Sequence, residues 1–382
     1  MRRRPWRALA SRQDVYTGDR TVSMAVTVVV GGQFGSEGKG KVAHFLAAER
    51  RADAVVRVGG SNSGHTALDV DAKPVVLRQL PTAALLPDVL CVLGPGSYID
   101  PELLLSEVEQ VGLGPDRLLI DPRAVLITDD DRDAELDGPL GPRIGSTCSG
   151  TGAAVQKRIA RRSIDDLVGG SRRLMQYVGE TNPVLRSLLE QGGRVVIEGT
   201  QGFGLSLLHS PHFPHVTSRD TSAAAAVAEA GLSVFDVDEV VLVLRAHPIR
   251  VAGNSGSFGA EELGWDRVAS EGGHYELAEY TSVTGRLRRV ARFDPDLVRM
   301  AIGVNQPSMI VLNHVDYVDA AAVERGLTPK AMAFVREVGA AIGRPIDLVG
   351  TGPDVLIAPD APRSMDQHRT LVRACGNPKT DL

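Results

Sequence analysis

The chain is short of cysteine: 382 residues contain three, Cys91, Cys148 and Cys375. They stand far apart and form no C-x-x-C pair, and three thiols cannot all pair with one another. That excludes a disulfide scaffold and fits a reducing compartment. Positive charge is also short. The formal net charge is −5 and the isoelectric point is about 6.0, which excludes a bulk nucleic-acid binder. No apolar run approaches the roughly 20 residues of a membrane helix, so no membrane partner is expected. The body carries no internal repeat and no Ser/Pro linker. Aromatic residues make up only 4%. What abounds is glycine, at 41 residues, as expected where a chain turns tightly or brings its backbone close to a ligand.

The first 23 residues differ from the rest. They are arginine-rich and lack a sustained apolar core, so a secretory signal is not expected. Asp14 and Asp19 count against a transit peptide. Met24 stands directly before the first clear strand, AVTVVV. Residues 1–23 therefore read as a disordered extension or a misplaced start.

Short β-branched runs then alternate with longer helical patterns. Strands are expected at 26–30, 54–58, 89–93, 194–197, 239–244 and 309–313. Most are continuous apolar runs, as strands buried on both faces should be. Helices are expected near 39–51, 101–112, 163–191, 221–231, 295–304 and 329–342. Pro101, Pro295 and Pro329 fall at helix starts, where a missing N–H costs little. Thr221 or Ser222 suits the cap of the Ala-rich helix. The fold class is α/β, a mostly parallel central sheet flanked by helices. Residues 128–143, TDDDRDAELDGPLGPR, are polar and turn-rich and read as a mobile surface loop.

The stretch VVVGGQFGSEGKGKV, residues 28–42, has the order strand, glycine-rich turn, helix. Backbone N–H groups in such a turn converge on an anion, and the helix N-terminus adds partial positive charge. Lys39 and Lys41 add full charges. The spacing is not that of a Walker motif. Five residues separate Gly32 from Gly38, and Gly40 stands where Ser or Thr should follow the lysine. It is P-loop-like, a phosphate loop of another pattern. Three more small-residue loops occur: VGGSNSGHT (58–66), IGSTCSGTGAA (144–154) and IEGTQGFGLSL (197–207). The first carries His65, placed for acid or electrostatic work. YTSVTGRLRR (280–289) offers arginines that can grip carboxylates bidentately. Several such loops at the ends of parallel strands suggest one large site for polyanionic ligands.

These pieces resemble adenylosuccinate synthetase over nearly the whole chain from Met24. GGQFGSEGKGK, GGSNSGHT, IGSTCSGTG followed by ARR, EGTQG, VTS at 216–218, VTGRLRR, NHVD at 313–316 and GTGPD at 350–354 occur in the family's order. The resemblance implies one catalytic domain over 24–382, acting as a carbon–nitrogen ligase. A nucleoside triphosphate phosphorylates the purine 6-oxygen, and the aspartate amine then displaces phosphate. It implies Ser36, Lys39 and His65 as the catalytic set. Nucleotide binding would fall to Gly35, Ser36, Glu37, Gly38, Lys39, Gly40, Lys41, Gly64, His65, Thr66, Asn313, Asp316, Gly350 and Gly352. The purine monophosphate would meet Ser36, Asn62, Thr147, Gln201 and Thr217, with Arg161 reaching across a homodimer interface. Thr284, Arg286 and Arg288 would bind aspartate. Mg²⁺ would be held at Ser36 and the Gly64 carbonyl. A cytoplasmic location follows, the host cytoplasm if the protein is phage-encoded.

Three departures from the family pattern carry information. The family has an aspartate at position 36, which removes the purine N1 proton; here it is Ser36. A lone serine is a far weaker proton acceptor. It is smaller than aspartate and both donates and accepts hydrogen bonds. It therefore leaves room for a purine bearing a 2-amino group, such as guanine. This serine resembles the bacteriophage branch of the family, whose members use dGMP and make 2-amino-2′-deoxyadenylosuccinate. The expected substrates are dGMP, L-aspartate and ATP, with GTP or dATP as alternative donors. An ordinary synthetase acting on IMP and a non-catalytic nucleotide-binding paralogue are the competing readings. The second departure is His314 in place of the lysine of the guanine-reading motif, which fits relaxed GTP use or a switch to ATP. The third is RVAGNSGSF, 250–258, near the substrate in the family.

Overall fold

The computed structural model describes residues 25–281 and 285–359. The expectations for residues 1–23 and for Thr284 fall outside the described residues. In chain order the strands are β1 (Val26–Gly31), β2 (Ala54–Arg57), β3 (His65–Leu68), β4 (Pro74–Leu77), β5 (Leu90–Leu93), β6 (Tyr98–Ile99), β7 (Leu118–Ile120), β8 (Val125–Leu126), β9 (Val195–Glu198), β10 (Val237–Arg245), β11 (Ile249–Arg250), β12 (Glu262–Leu263), β13 (Arg289–Ala291), β14 (Met309–Asn313), β15 (Leu348–Gly350) and β16 (Leu356–Ile357). Nine of them form one sheet in the order β16-β15-β14-β10-β1-β9-β2-β5-β7. Every pairing in it is parallel except β15 with β16. The mostly parallel sheet is as the alternation of patterns predicts.

Period-2 geometry explains why β1 is apolar at nearly every position. Val28 and Val30 enter the core on one face, packed under the helices Thr181–Glu190, Ala223–Ala230, Pro295–Asn305 and Pro329–Ile342. Val29 enters the other, against Val42, Ala43, Leu46 and Ala47 of the helix α1 (Lys39–Glu49). β10 divides in the same way, Leu242 and Leu244 to one side, Val241 and Val243 to the other. A sheet covered on both faces needs such strands. Pro101, Pro295 and Pro329 each open a helix, and Asp100, Asp294 and Thr328 before them accept from first-turn N–H groups. Ser222 caps the Ala-rich helix through the Ala225 N–H.

Two expectations are corrected. Residues 163–191 are not one helix. They make three short 3₁₀ turns at Ile164–Asp166, Val168–Gly170 and Met175–Tyr177, and only Thr181–Glu190 is α-helical. Gly169, Gly170 and Gly179 interrupt the pattern. Residues 128–143 are not an irregular loop but hold a helix at Asp129–Asp137 and a short one at Leu140–Ile144. Thr128 and Asp131 form a capping box at the start of the first. Its inner face is charged. Asp131 receives the Lys157 ammonium at 2.6 Å. The Glu135 carboxylate accepts from Gly150 N, Gly152 N and Ala153 N at 2.8, 2.6 and 3.1 Å, which fills the N-terminus of the helix Thr151–Ala160.

Candidate active site

Of the five central parallel strands, four end in a buried polar residue: Arg57 closes β2, Glu198 β9, Arg245 β10 and Asn313 β14, with β1 between β10 and β9. Their exposures are 2%, 0%, 0% and 1%, and Arg57 is in register with Glu198, Arg245 with Asn313. Buried polar side chains persist only when partnered. Here they support the loops that follow each strand, at the edge where open α/β sheets bind ligands.

The glycine loop is built on them. Gln33 exchanges two hydrogen bonds with the Arg245 backbone, at 3.2 and 2.9 Å. Glu37 is wholly buried and folds back into its own loop. One carboxylate oxygen accepts from Gln33 N at 3.1 Å and Gly35 N at 2.8 Å, and the other meets Lys39 Nζ at 2.6 Å. Asn313 Nδ2 donates to the Glu37 carbonyl at 2.8 Å. Gly38 has φ +87°, and a Cβ there would lie 2.6 Å from Asn313 Nδ2, so glycine is required on both counts. Ser36 is held at φ 57°. Arg245 Nη1 donates to its carbonyl at 3.0 Å, and the Arg288 guanidinium donates to its Oγ.

Two clefts open at this edge. The larger, 890 Å³, is lined by Asn62, Thr147, Gln201, Thr217, Arg250 and Arg286 among others. The smaller, 460 Å³, is lined by Gly38, Lys39, Gly40, Lys41, His65, Thr66, His314, Asp316, Tyr317 and Gly352. Ser36, Gly64 and Arg288 line both and form the seam. The hairpin β3–β4 walls the smaller cleft through Thr66, Ala67, Leu68, Pro74 and Val76.

His65 is fixed by a residue that sequence reasoning missed. Its Nδ1 lies 2.5 Å from Glu198 Oε1, which also meets Arg57 at 3.3 Å. Glu198 Oε2 accepts from Thr82 N and Oγ1 at 2.9 and 2.8 Å. His65 Nε2 is buried with no partner among the described residues. Burial, then the Arg57 charge, push the imidazole pKa down to about 4, against the pull of Glu198. The ring is therefore neutral in the free protein, its Nδ1–H donating to the Glu198 carboxylate and its Nε2 lone pair free. The signal in the sequence was a carboxylate closing an apolar run, RVVIE.

Beneath Ser36 lies a second missed pair. Arg245 and Glu279 form a salt bridge, and Tyr317 packs beside it, its ring 5.1 Å from that of His314. Burial alone would raise the Glu279 pKa, but Arg245, then His314, hold it down to about 2. A depressed carboxylate pKa adds stability above the unfolded value, near 4.5, and loses it as pH falls toward 2. Acid titration of thermal unfolding should therefore show wild type and Glu279→Gln farthest apart near neutrality, the gap narrowing below about pH 4.5 and closing near pH 2. A gap that stays constant with pH would remove Glu279 from this role.

The remaining expected residues divide. Asp316 faces the smaller cleft with its pKa raised by burial. Glu37 and Gly350 line neither cleft. Arg161 also lines neither; it is exposed at the C-terminus of its helix. Lys41 lines the smaller cleft, yet its Nζ is turned to the Gly352 and Val355 carbonyls, at 2.8 and 3.1 Å. Arg289 faces Glu262, at 2.7 and 2.6 Å, and stacks on Phe258. No helix among the described residues is long and apolar enough to cross a membrane.

Residues 28–168 and 162–324 match the family model of adenylosuccinate synthetase. Among similar proteins, an adenylosuccinate synthetase of Pyrococcus horikoshii is 33% identical over 87% of this chain and 97% of its own. One from Methanococcus maripaludis is 35% identical over 87% and 98%. Among solved structures, the succinoaminodeoxyadenylate synthetase of cyanophage S-2L, bound to dGMP and to dATP as an energy donor, is similar with a TM-score of 0.76. It is 29% identical and covers 88% of this chain and 96% of that one. The Plasmodium falciparum adenylosuccinate synthetase shares the fold, with a TM-score of 0.76 at 21% identity over 87% and 98%. Two model segments spanning most of the sequence, and relatives a third identical over nearly their full length, place the chain in the adenylosuccinate synthetase family.

Proposed function

We propose that the protein condenses L-aspartate with dGMP at the expense of ATP, giving 2-amino-2′-deoxy-N6-succinyladenylate. The γ-phosphoryl group of ATP passes to the purine O6, releasing ADP, while the N1 proton passes by way of the Ser36 hydroxyl to solvent. The aspartate amine then attacks C6, and phosphate departs. The observation that carries the choice of purine is Ser36 at the seam of the two clefts. The family's aspartate there gives way to a smaller hydroxyl, where the purine edge would meet the phosphoryl donor. The dGMP and dATP held by the cyanophage protein support the same reading.

In this reading the work divides among the residues of the two clefts. Lys39 and the loop amides hold phosphate oxygens, since phosphoryl transfer is chiefly positioning and charge neutralisation. His65 presents Nε2 to the transferring group. An anion there favours the imidazolium, which then stabilises it. Arg286 and Arg288 take the aspartate carboxylates, and Arg288 must leave Ser36 Oγ to do so. Magnesium finds only neutral oxygens of this chain at the seam, the Gly64 carbonyl and the Ser36 hydroxyl. Among the described residues no three His, Cys, Asp or Glu side chains gather to hold a metal. That donor set fits an ion bound mainly by triphosphate oxygens and water. Such an ion would neutralise charge on the β- and γ-phosphates. The working unit in this reading is a homodimer, with Arg161 of each chain reaching the other's substrate phosphate.

The archaeal relatives favour a second reading, an adenylosuccinate synthetase acting on IMP with GTP. One assay separates the two. Purified protein is given aspartate, ATP or GTP, and either dGMP or IMP, and phosphate release is followed. Turnover with dGMP is expected, and Ser36→Asp should abolish it and raise turnover with IMP. Turnover with IMP but no phosphate release with dGMP would sink the proposal. Binding without turnover for every purine would point to a non-catalytic paralogue.

A further inference from the structure

Lys41 belongs to the glycine loop by sequence and to another part of the molecule by contact. It sits in the first turn of α1, two residues after Lys39. Lys39 keeps its ammonium inside the loop, on Glu37. Lys41 sends its own across to the turn that joins β15 to β16, donating to Gly352 O at 2.8 Å and Val355 O at 3.1 Å. Room for this comes from Gly350, where a Cβ would lie 2.6 Å from Lys41 Nζ and 2.0 Å from Asn313 Oδ1. Asp316 and Asp354 stand near enough to favour the charged form, although burial dominates and lowers the Lys41 pKa to about 8.

Around Lys41 three segments that line the smaller cleft come together: the first turn of α1, the 350–355 turn it donates to, and the end of β14, whose Asn313 lies against Gly350 and is followed by Asp316. Gly38, Lys39, Gly40 and His65 line the same cleft. An ammonium that already spends two of its three N–H groups on backbone carbonyls has one left to offer a phosphate. It has much to offer the shape of the place where the base of a nucleotide would sit.

We propose that Lys41 is a positioning residue for the nucleoside end of the triphosphate cleft, clamping the 350–355 turn against α1, and is not a phosphate ligand. This rests on the reading of the smaller cleft as the triphosphate site. The test compares tripolyphosphate with ATP and GTP as ligands of the full-length wild type, Lys41→Met, Lys41→Arg and Lys39→Met, by calorimetry, with thermal unfolding to check each fold. Lys41→Met should bind tripolyphosphate within about twofold of wild type and bind the accepted nucleotide about tenfold or more weakly, a loss of about 1.4 kcal/mol. In turnover, KM for the nucleotide should rise while kcat and KM for the purine monophosphate hold. Lys41→Arg, which keeps a charged donor, should recover part of the loss, and Lys39→Met should lose tripolyphosphate. If Lys41→Met weakens tripolyphosphate as much as nucleotide, or weakens neither, the inference falls and the reading of the cleft stands. If wild type binds neither nucleotide, both fall.

Discussion

Replacing Glu198 by glutamine should cost both stability and reaction, more than any change on the surface of the clefts. The carboxylate is shared by Arg57, His65 and Thr82, and all four groups are buried. An amide keeps the volume and removes the charge. Arg57 is then left with only carbonyl partners, those of Ser63, Leu77 and Leu80 at 2.6, 3.2 and 2.9 Å. Breaking a buried ion pair from one side costs about 3–5 kcal/mol, a large part of the ~5–15 kcal/mol that holds a protein folded. The same change frees the His65 ring, because an amide can present either its oxygen or its NH₂ to Nδ1. Loss of a positioned acid–base group costs about 10²–10⁴ in rate. Denaturant unfolding and phosphate-release kinetics measure the two effects separately. His65→Asn is the control, with turnover lost and most of the stability kept. A Glu198→Gln protein within about 1 kcal/mol of wild type and within threefold in kcat would contradict the arrangement.

Lys39→Met should be the most damaging change within the glycine loop. Lys39 is 2% exposed and its ammonium is the only salt-bridge partner of Glu37 among the described residues. Methionine matches the stem and leaves the Glu37 carboxylate with two backbone N–H groups alone. Removing one preorganised charge-stabilising group costs about 10²–10³ in kcat. The orphaned carboxylate adds a stability loss of about 3 kcal/mol. Lys39→Arg should rescue poorly, since a planar fork does not fit where a compact ammonium sits. Rates at saturating substrates, beside melting curves, check this. A kcat within tenfold of wild type would remove Lys39 from the phosphoryl-transfer step.

Much of the fold was legible because it is written in spacing. β1 and β14 are nearly continuous apolar runs, as is the 240–244 stretch of β10, and a proline opens three helices. The places that misled have identifiable physics. The helix Asp129–Asp137 buries carboxylates rather than an apolar stripe, so periodicity is silent; only Thr128 with Asp131 three residues on announces it. Between 163 and 180 apolar residues recur at helical intervals, but the glycines let the chain turn in single 3₁₀ steps. For the site, the glycine loop and His65 stand out locally. Glu198, Arg245 and Glu279 do not, because their meaning comes from neighbours in space. Arg245 meets Ser36 across a sequence separation of 209 residues. Lys41 shows the converse, a residue whose sequence neighbours suggest one partner and whose fold supplies another.

The central place of β1 has a consequence for how the protein comes into being. β1 is synthesised well before its partners β9 and β10, which lie roughly 170 and 210 residues further on. At about 5–20 residues per second, the ribosome delivers them some 10–40 s later. For that interval VTVVVG is a β-prone segment with two open edges, and the loop after it has neither Arg245 nor Asn313 to shape it. Pairings this distant in sequence are slow to close. The glycine loop, made long before Arg245 and Asn313, is therefore among the last parts to acquire its form, only after the middle of the sheet is laid down.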